Sequence, residues 1–501
     1  MKMEKRYIKQ IADSETLFDM AAVCYNILEN NISYPVKFIS EYVDESASSL
    51  KNNPNCRRLR AFSDSAEDIL EQYSEFEFSH QKLKIVTLLQ NIELVPFQND
   101  KENQLSVIYN LLSVIDSMTP LWNMQYIVNR APLNKGKSMR NYLVYLAPSK
   151  YLHKDLIEKI GRERKRSADF AEGFSNLLFL QAKKLPRNSK EPEICYLPCK
   201  ERDNQYQLKV AVITGVTGKH FTMPNTTGAT KIIEYKPDGD VQKEVGEGLW
   251  SKIELAIRQG AEFIILPEFS VSNEILGYIK EKLCEYRKTG KDISNLIAVF
   301  PGSTWITSAD NVHNNVQIIL DSWGREIGRY YKNTPYRKKR KNAGGYEVSE
   351  GLSDPGYRTC ILCVESIGYI LPATCLDVIE GAYTEYLIQK FYPTFVFVPA
   401  WSSSGRSFKR PMKIFAAEYF VNSVLCNGCG ALSKKASIVG GAVSVTKRGT
   451  VPDGRFYEVK KPAQCSNTIK QTCNKYCAYL FEIDLNPAKM LRKNQILISI
   501  L

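Results

Sequence analysis

Residues 367–377 read IGYILPATCLD, an apolar strand that ends on a cysteine, Cys375. Two more stretches follow the same pattern. AEFIILPEFS at 261–270 is a buried strand with Glu268 directly after FIILP. NVQIILDSWG and REIGRYYKN at 315–333 flank a Trp323-Gly324 corner, which predicts a hairpin with Lys332 after GRYY. Three strands therefore each end in a reactive side chain. Ligands of α/β sheets collect at strand ends, so these three can meet in one crevice. Taken singly each has a plainer reading: a loop glutamate, a solvated lysine, a small core thiol.

The surrounding chain keeps the alternation. QLKVAVITGV at 207–216 is a near-continuous apolar run suited to a strand buried on both faces. Residues 244–259 place Val245, Leu249, Trp250, Ile253 and Ile257 at helical spacing. LIAVFPGSTWI (296–306), a helix at 379–391, TFVFVPAWSSS (394–404) with Trp401, a helix at 411–424 and AYLFEIDL (478–485) continue it. Strands alternating with helices predict a layered α/β domain over 206–501. Residues 1–184 read instead as a mainly helical region. Ser14 is placed to cap a helix carrying Leu17, Ala21, Cys24 and Leu28; further helical patterns fall near 62–92 and 103–117. NYLVYLA at 141–147 suggests a strand. A helix is expected over 153–184, with Phe170, Phe174, Leu177 and Leu178 on one stripe. The Pro-containing, mixed-charge stretch 185–205 reads as a linker.

Composition narrows the class. Among 501 residues, 44% hydrophobic and 24% charged is ordinary for a globular protein. No apolar run approaches the ~20 residues of a membrane span, and the start lacks a signal-like segment, so a cytoplasmic protein without a membrane partner is expected. Thirteen cysteines at scattered spacing are not a disulfide framework. Cys360/Cys363 and Cys426/Cys429 are CxxC pairs. Cys360 and Cys363 sit in a strand-like run, however, where positions three apart face opposite sides, so buried thiols are favoured over a metal site. The formal charge is +13 and uneven: residues 1–200 hold 28 of the 67 basic and 25 of the 54 acidic residues. Part of the surplus is Arg337, Lys338, Lys339, Arg340 and Lys341, a run that is either a solvated loop or an attractor of nucleic acid or another acidic partner.

Glu268, Lys332 and Cys375, in that order and each at its own strand end, resemble the nitrilase superfamily of carbon–nitrogen hydrolases. The resemblance runs over about 206–486. NNVQIILDSWGREIGRYYKN (314–333) is similar to the hairpin that delivers the family's lysine. SEGLSDPG (349–356) is similar to the segment with its supporting glutamate, here Glu350. ILPATCLD, with Asp377 two residues after the cysteine, is similar to the nucleophile strand. FVPAWSSS, AAEYFVNSVLCNGCGA and GGAVSVTKRGTV resemble the later strands, helix and hairpin. Two features depart from the pattern. Leu376 follows the cysteine where many members carry an aromatic, and 17 residues separate Lys332 from Glu350. Cys-Leu-Asp is closer to the amidase and carbamoylase branches than to nitrile-cleaving members.

The resemblance implies a domain that forms four-layer α-β-β-α sandwiches and pairs into a homodimer or larger homo-oligomer. It implies an amidase- or carbamoylase-like hydrolase of a small molecule, with no metal or cofactor. Cys375 would be the nucleophile, Glu268 the base, Lys332 and the Leu376 N–H the oxyanion partners, and Glu350 the support of Lys332. Asp377, Trp401 and residues 337–341 would border the substrate. The residue types suit this chemistry. A thiol of ordinary pKa ~8.5 needs activation at neutral pH, and none of the four histidines lies in a cysteine-protease-like signature. A buried glutamate can serve as base instead. The competing class is a regulatory, assembly or antiviral-defence protein that uses such a domain as sensor or effector while the helical region binds a partner.

Overall fold

The computed structural model describes residues 2–31, 55–71, 73, 77–95, 100–126, 132–133, 141–147, 174, 176–185, 191–197, 206–215, 221–222, 230–231, 234–235, 239–290, 293, 295–307, 313–339, 347–350, 352, 359–365, 367–429, 438–448, 451–460, 477–485 and 496–501. The chain divides into two compact units, 1–149 with 157–185, and 150–156 with 186–501.

The described part of the first unit holds helices α1 (Lys5–Ala12), α2 (Leu17–Glu29), α3 (Cys56–Glu71), α4 (Phe78–Asn91) and α5 (Asp100–Tyr126), and strands β1 (Tyr142–Leu146) and β2 (Leu177–Gln181). Thr16, not Ser14, caps α2. Its hydroxyl accepts from the Asp19 N–H at 3.1 Å, and the Asp19 carboxylate accepts from the Thr16 N–H at 2.8 Å, a reciprocal capping box. Strand β1 falls where NYLVYLA predicted one. The helix expected over 153–184 fails where it is described. LLFLQ pairs antiparallel with β1, with Tyr142 opposite Gln181. A short apolar run reads equally as helix or strand, and here cross-strand pairing decides. Tyr25 stacks on Phe179 at 4.2 Å within one apolar core that also takes Leu59, Ile85 and Ile108.

The second unit is built on two sheets. One has eight strands. Along its main path run β7 (Ser303–Thr307), β8 (His313–Asp321), β6 (Ala298–Phe300), β5 (Phe263–Ile265), β4 (Gln207–Ile213), β18 (Ala478–Asp484) and β19 (Ile496–Ile500), with β9 (Glu326–Tyr331) hairpinned onto β8. The other has seven, in the order β17 (Val451–Lys460), β16 (Ile438–Arg448), β15 (Asn422–Asn427), β14 (Phe395–Ala400), β13 (Gly368–Pro372), β12 (Cys360–Val364) and β3 (Glu193–Leu197). Strand β3 lies inside the expected linker, so part of that stretch is sheet. It pairs in parallel with β12, Cys195 opposite Leu362.

Period-two alternation sets the layers. In β4, Val210 and Val212 join Phe263, Ile265, Phe300, Ile370, Phe395 and Phe397 in a core between the sheets. Ala211 and Ile213 turn the other way, against Leu249 and Ile253 of α6 (Gly239–Arg258) and Ile275 and Ile279 of α7 (Asn273–Lys288). That two-sided burial is why these strands read as unbroken apolar runs. The Trp323-Gly324 corner is a tight turn: Gly324 has φ +77°, and the Asp321 carboxylate accepts from the Trp323 and Arg325 N–H groups at 2.9 Å each.

Cys360, Cys363 and Cys426 are buried thiols and Cys429 is half-buried, and the CxxC cysteines have separate neighbours. Cys360 lies 2.7 Å from the Cys195 sulfur; Cys426 donates to the Ile265 carbonyl and Cys429 faces the Thr214 hydroxyl. Among the described residues no cluster of three or more His, Cys, Asp or Glu could hold a metal ion, and no helix is long and apolar enough to cross a membrane.

Candidate active site

Glu268 lies three residues past β5. The chain turns sharply there: Phe269 has φ +59°, and the neighbouring Gly302 has φ +82°. A Cβ on Gly302 would lie 1.9 Å from the Pro267 carbonyl oxygen, so only glycine lets the two turns approach. Lys332 follows β9, its N–H donating to the Asn315 carbonyl at 3.0 Å. Glu350 ends β11 (Glu347–Glu350), which pairs antiparallel with β10 (Arg337–Lys339), Arg337 opposite Ser349.

Cys375 sits between β13 and the short helix α8 (Leu376–Glu380). Its backbone, at φ +48° and ψ −106°, is in a region that residues with a Cβ seldom adopt. The turn is fastened by the Cys375 N–H, which donates to the Pro399 carbonyl of β14 at 2.9 Å. This strained elbow places the thiol at the sheet's end rather than within its core.

The four side chains come together. The Lys332 ammonium is 2.8 Å from Glu268 Oε1 and 2.6 Å from Glu350 Oε2, with all three side chains buried. The Cys375 thiol lies within electrostatic reach of both the Glu268 carboxylate and the Lys332 ammonium, which act on its ionisation in opposite directions. The Trp401 N–H donates to Glu268 Oε2 at 3.0 Å. Glu350 is held from both ends. Its Oε2 accepts from the Tyr336 N–H at 2.9 Å, and its own N–H donates to the Tyr336 carbonyl at 2.7 Å. Asn315, which the sequence reading passed over, donates to Glu268 Oε1 at 2.8 Å and Glu350 Oε1 at 2.9 Å. The signal for it was present, since counting back from the Trp323-Gly324 corner sets Asn315 across from Lys332.

Asp377 does not face the Cys375 thiol as part of this cluster. Its buried carboxylate accepts from the Tyr330 hydroxyl at 2.7 Å and the Thr334 N–H at 2.6 Å, and from the Asn333 N–H. It fastens the segment around Lys332 to the Cys375 elbow. Leu376 opens α8, where the first N–H groups of a helix have no intrahelical acceptor. Of the basic run, Arg337, Lys338 and Lys339 form strand β10, next to the strand that ends in Glu350; Arg340 and Lys341 lie outside the described residues.

Burial dominates the protonation states. It raises the Glu268 carboxyl above its ordinary value; Lys332 offsets part of the rise and Glu350 adds to it. Burial alone would depress the Lys332 ammonium, yet Glu268 and Glu350 lift it well above the usual lysine value, so it stays cationic. Burial pushes the Cys375 thiol well up and Glu268 pushes it further, against the pull of Lys332 and the Trp401 N–H. Burial thus favours a protonated thiol at rest, with the Glu268 carboxyl as the neighbouring group able to exchange its proton. Such a set can activate a nucleophile and stabilise an oxyanion without an imidazole.

No protein-family model and no curated protein matches the chain. Solved structures do. Nit3 of Saccharomyces cerevisiae, a member of branch 10 of the nitrilase superfamily, is 14% identical at a TM-score of 0.32, covering 51% of this chain and 90% of its own. The C. elegans NitFhit protein is 14% identical at a TM-score of 0.33, covering 51% of this chain and 61% of its own. A mutant amidase from Nesterenkonia sp. AN1, carrying the acetamide moiety of fluoroacetamide on its active-site cysteine, is 13% identical at a TM-score of 0.33, covering 52% and 94%. The likeness to each of these structures runs over about half of this chain.

Proposed function

We propose that residues 206–486 form a nitrilase-type domain that hydrolyses a non-peptide carbon–nitrogen bond, of amide or carbamoyl type, in a small molecule. The observation that carries this reading is the buried Lys332 ammonium held between Glu268 and Glu350, with the Cys375 thiol near enough for both Glu268 and Lys332 to act on its ionisation. Taking three charges out of water is costly, and a core built for stability alone gains little from it. The order of motifs along the chain and the stacking of helices on two facing sheets support the same reading.

In this mechanism Glu268 takes the thiol proton as Cys375 Sγ attacks the carbonyl carbon. The carbonyl π electrons move to oxygen, where the Lys332 ammonium and the Leu376 N–H stabilise the oxyanion. The tetrahedral adduct collapses, the C–N bond breaks, and Glu268 returns its proton to the departing nitrogen, leaving a thioester on Cys375. Glu268 then deprotonates a water molecule that attacks the thioester; the acid is released and the thiol restored. Glu350 and Asp377 hold Lys332 and the elbow in register. Trp401 and the β10 segment, next to the strand that ends in Glu350, border the substrate.

The test is to incubate the protein with a panel of short amides and N-carbamoyl compounds, following ammonia release and the mass of the Cys375 peptide. Turnover together with an acyl adduct on Cys375 is expected. Ammonia release that survives Cys375→Ala would overturn the assignment.

A further inference from the structure

Asn315 has a position in the site that packing does not explain. Its side chain is fully buried, and the two hydrogens of its amide go to two different carboxylates, Glu268 and Glu350, at 2.8 and 2.9 Å. Its carbonyl accepts the Lys332 N–H at 3.0 Å, so the β8–β9 hairpin sets Asn315 and Lys332 side by side. Two carboxylates share one ammonium, and the Asn315 amide is a neutral donor common to both.

The other half of the amide sharpens the point. Asn315 Oδ1 is buried with no hydrogen-bond partner among the described residues. Turning the amide over would aim that oxygen at two carboxylates, so the donations fix its orientation. An unmet buried acceptor costs stability. A residue kept for packing has no cause to carry that cost, whereas a residue needed for its paired donors does.

We infer that Asn315 is a positioning residue: it spans Glu268 and Glu350, fixes both against Lys332, and tunes Glu268 as the base. The inference rests on the reading of Glu268 as base given above. Donating to a carboxylate favours its charged form, so Asn315 opposes the upward push of burial on Glu268. Without it, Glu268 is expected to hold its proton to higher pH.

The rate of Cys375 alkylation by iodoacetamide, followed by peptide mass spectrometry as a function of pH, tests this without knowledge of the substrate. The proteins compared are the parent chain, Glu268→Gln, Asn315→Leu and Asn315→Asp, each checked for folding by thermal melting. In the parent, labelling rises through a step set by Glu268, and that step is absent in Glu268→Gln. In Asn315→Leu the step moves up by about one to two pH units, the size of a hydrogen bond to a charged group. Asn315→Asp keeps the volume but retains at most one donor, so it shifts the step in the same direction and decides the matter if the leucine variant does not fold. A step that vanishes in Glu268→Gln but stays in place in the folded Asn315 variants overturns the inference and leaves the proposed function standing. A step that persists in Glu268→Gln overturns the base assignment itself. If neither Asn315 variant folds, Asn315 is a structural residue and the inference is wrong.

Discussion

Cys375 and Cys426 are two buried thiols of the same sheet, one just past β13 and the other within β15, and burial pushes both well above the ordinary thiol range. Their settings differ. Cys426 is fully buried in a regular strand and donates to the Ile265 carbonyl at 3.2 Å and the Ile213 carbonyl at 3.6 Å. Cys375 sits on a positive-φ elbow with a carboxylate and an ammonium beside it. Burial alone makes a thiol inert. The difference between the two thiols lies in the bent backbone and the charges brought beside Cys375, not in a lowered resting pKa of the sulfur.

The largest effect should come from exchanging the two thiols' fates. Cys375→Ala is expected to abolish hydrolysis while the protein melts near the parent temperature. Cys375→Ser should be nearly as inactive, because a carboxylate does not readily deprotonate a hydroxyl. Cys426→Ala should do the reverse, keeping activity and costing about 1–3 kcal/mol of stability as a trimmed core residue. Melting curves and turnover on the same preparations decide it; Cys375→Ala activity above a tenth of the parent rate would show that the comparison has been read backwards.

Lys332→Met comes next. Losing an oxyanion donor costs about 3 kcal/mol in transition-state stabilisation, or roughly 100-fold or more in kcat. The variant should also alkylate more slowly at Cys375, since the ammonium is one of the groups pulling the thiol toward its ionised form. Unchanged kcat with a raised KM would make Lys332 a substrate-binding group and remove half the contrast with Cys426.

A third, graded effect is pH dependence. In the proposed mechanism Glu268 can act as base only when ionised, and burial has raised its pKa. Activity is therefore expected to be full above that raised pKa and to fall as pH drops through it, at higher pH than an exposed glutamate of ordinary pKa ~4.3 would give. A profile of kcat/KM flat down to the ordinary carboxylate range would deny Glu268 this role.

The smallest effect concerns Arg337, Lys338, Lys339, Arg340 and Lys341. Changing all five to Gln should raise KM for an anionic substrate by roughly 10-fold or less, an increment that fades with salt as the screening length shortens. Labelling of Cys375 by a neutral probe should not change. Normal KM and normal salt dependence would make the run a solvated stretch and nothing more.

The sequence made the strand ends legible because strands buried on both faces leave unbroken apolar runs, and a charged or thiol residue closing such a run stands out. FIILPE, GRYYK and ILPATC are each visible on that ground, and the structure brings their last residues together with Glu350. Asn315 is legible only through its cross-strand neighbour, by counting back from the Trp323-Gly324 corner to Lys332, and not through its own spacing. Strand β3 was hidden because Glu193–Leu197 is short and half-buried at the edge of its sheet, between prolines. Helical periodicity misled at 177–181, where LLFLQ fits either period and pairing with β1 chose.

Glu268 and Lys332 hang from one sheet, whereas Cys375 and Trp401 hang from the other. What separates the two halves of the candidate site is the thickness of the aromatic filling, where Phe263, Phe300 and Phe397 meet edge-on at 5.1 to 5.3 Å between centroids for the Phe397 contacts. The site is in effect a caliper closed on that filling. Misplacing a reacting group by about 1 Å can cost 100-fold in rate, so trimming Phe397 to leucine would register first as slowed acylation, well before the melting curve reported a damaged protein.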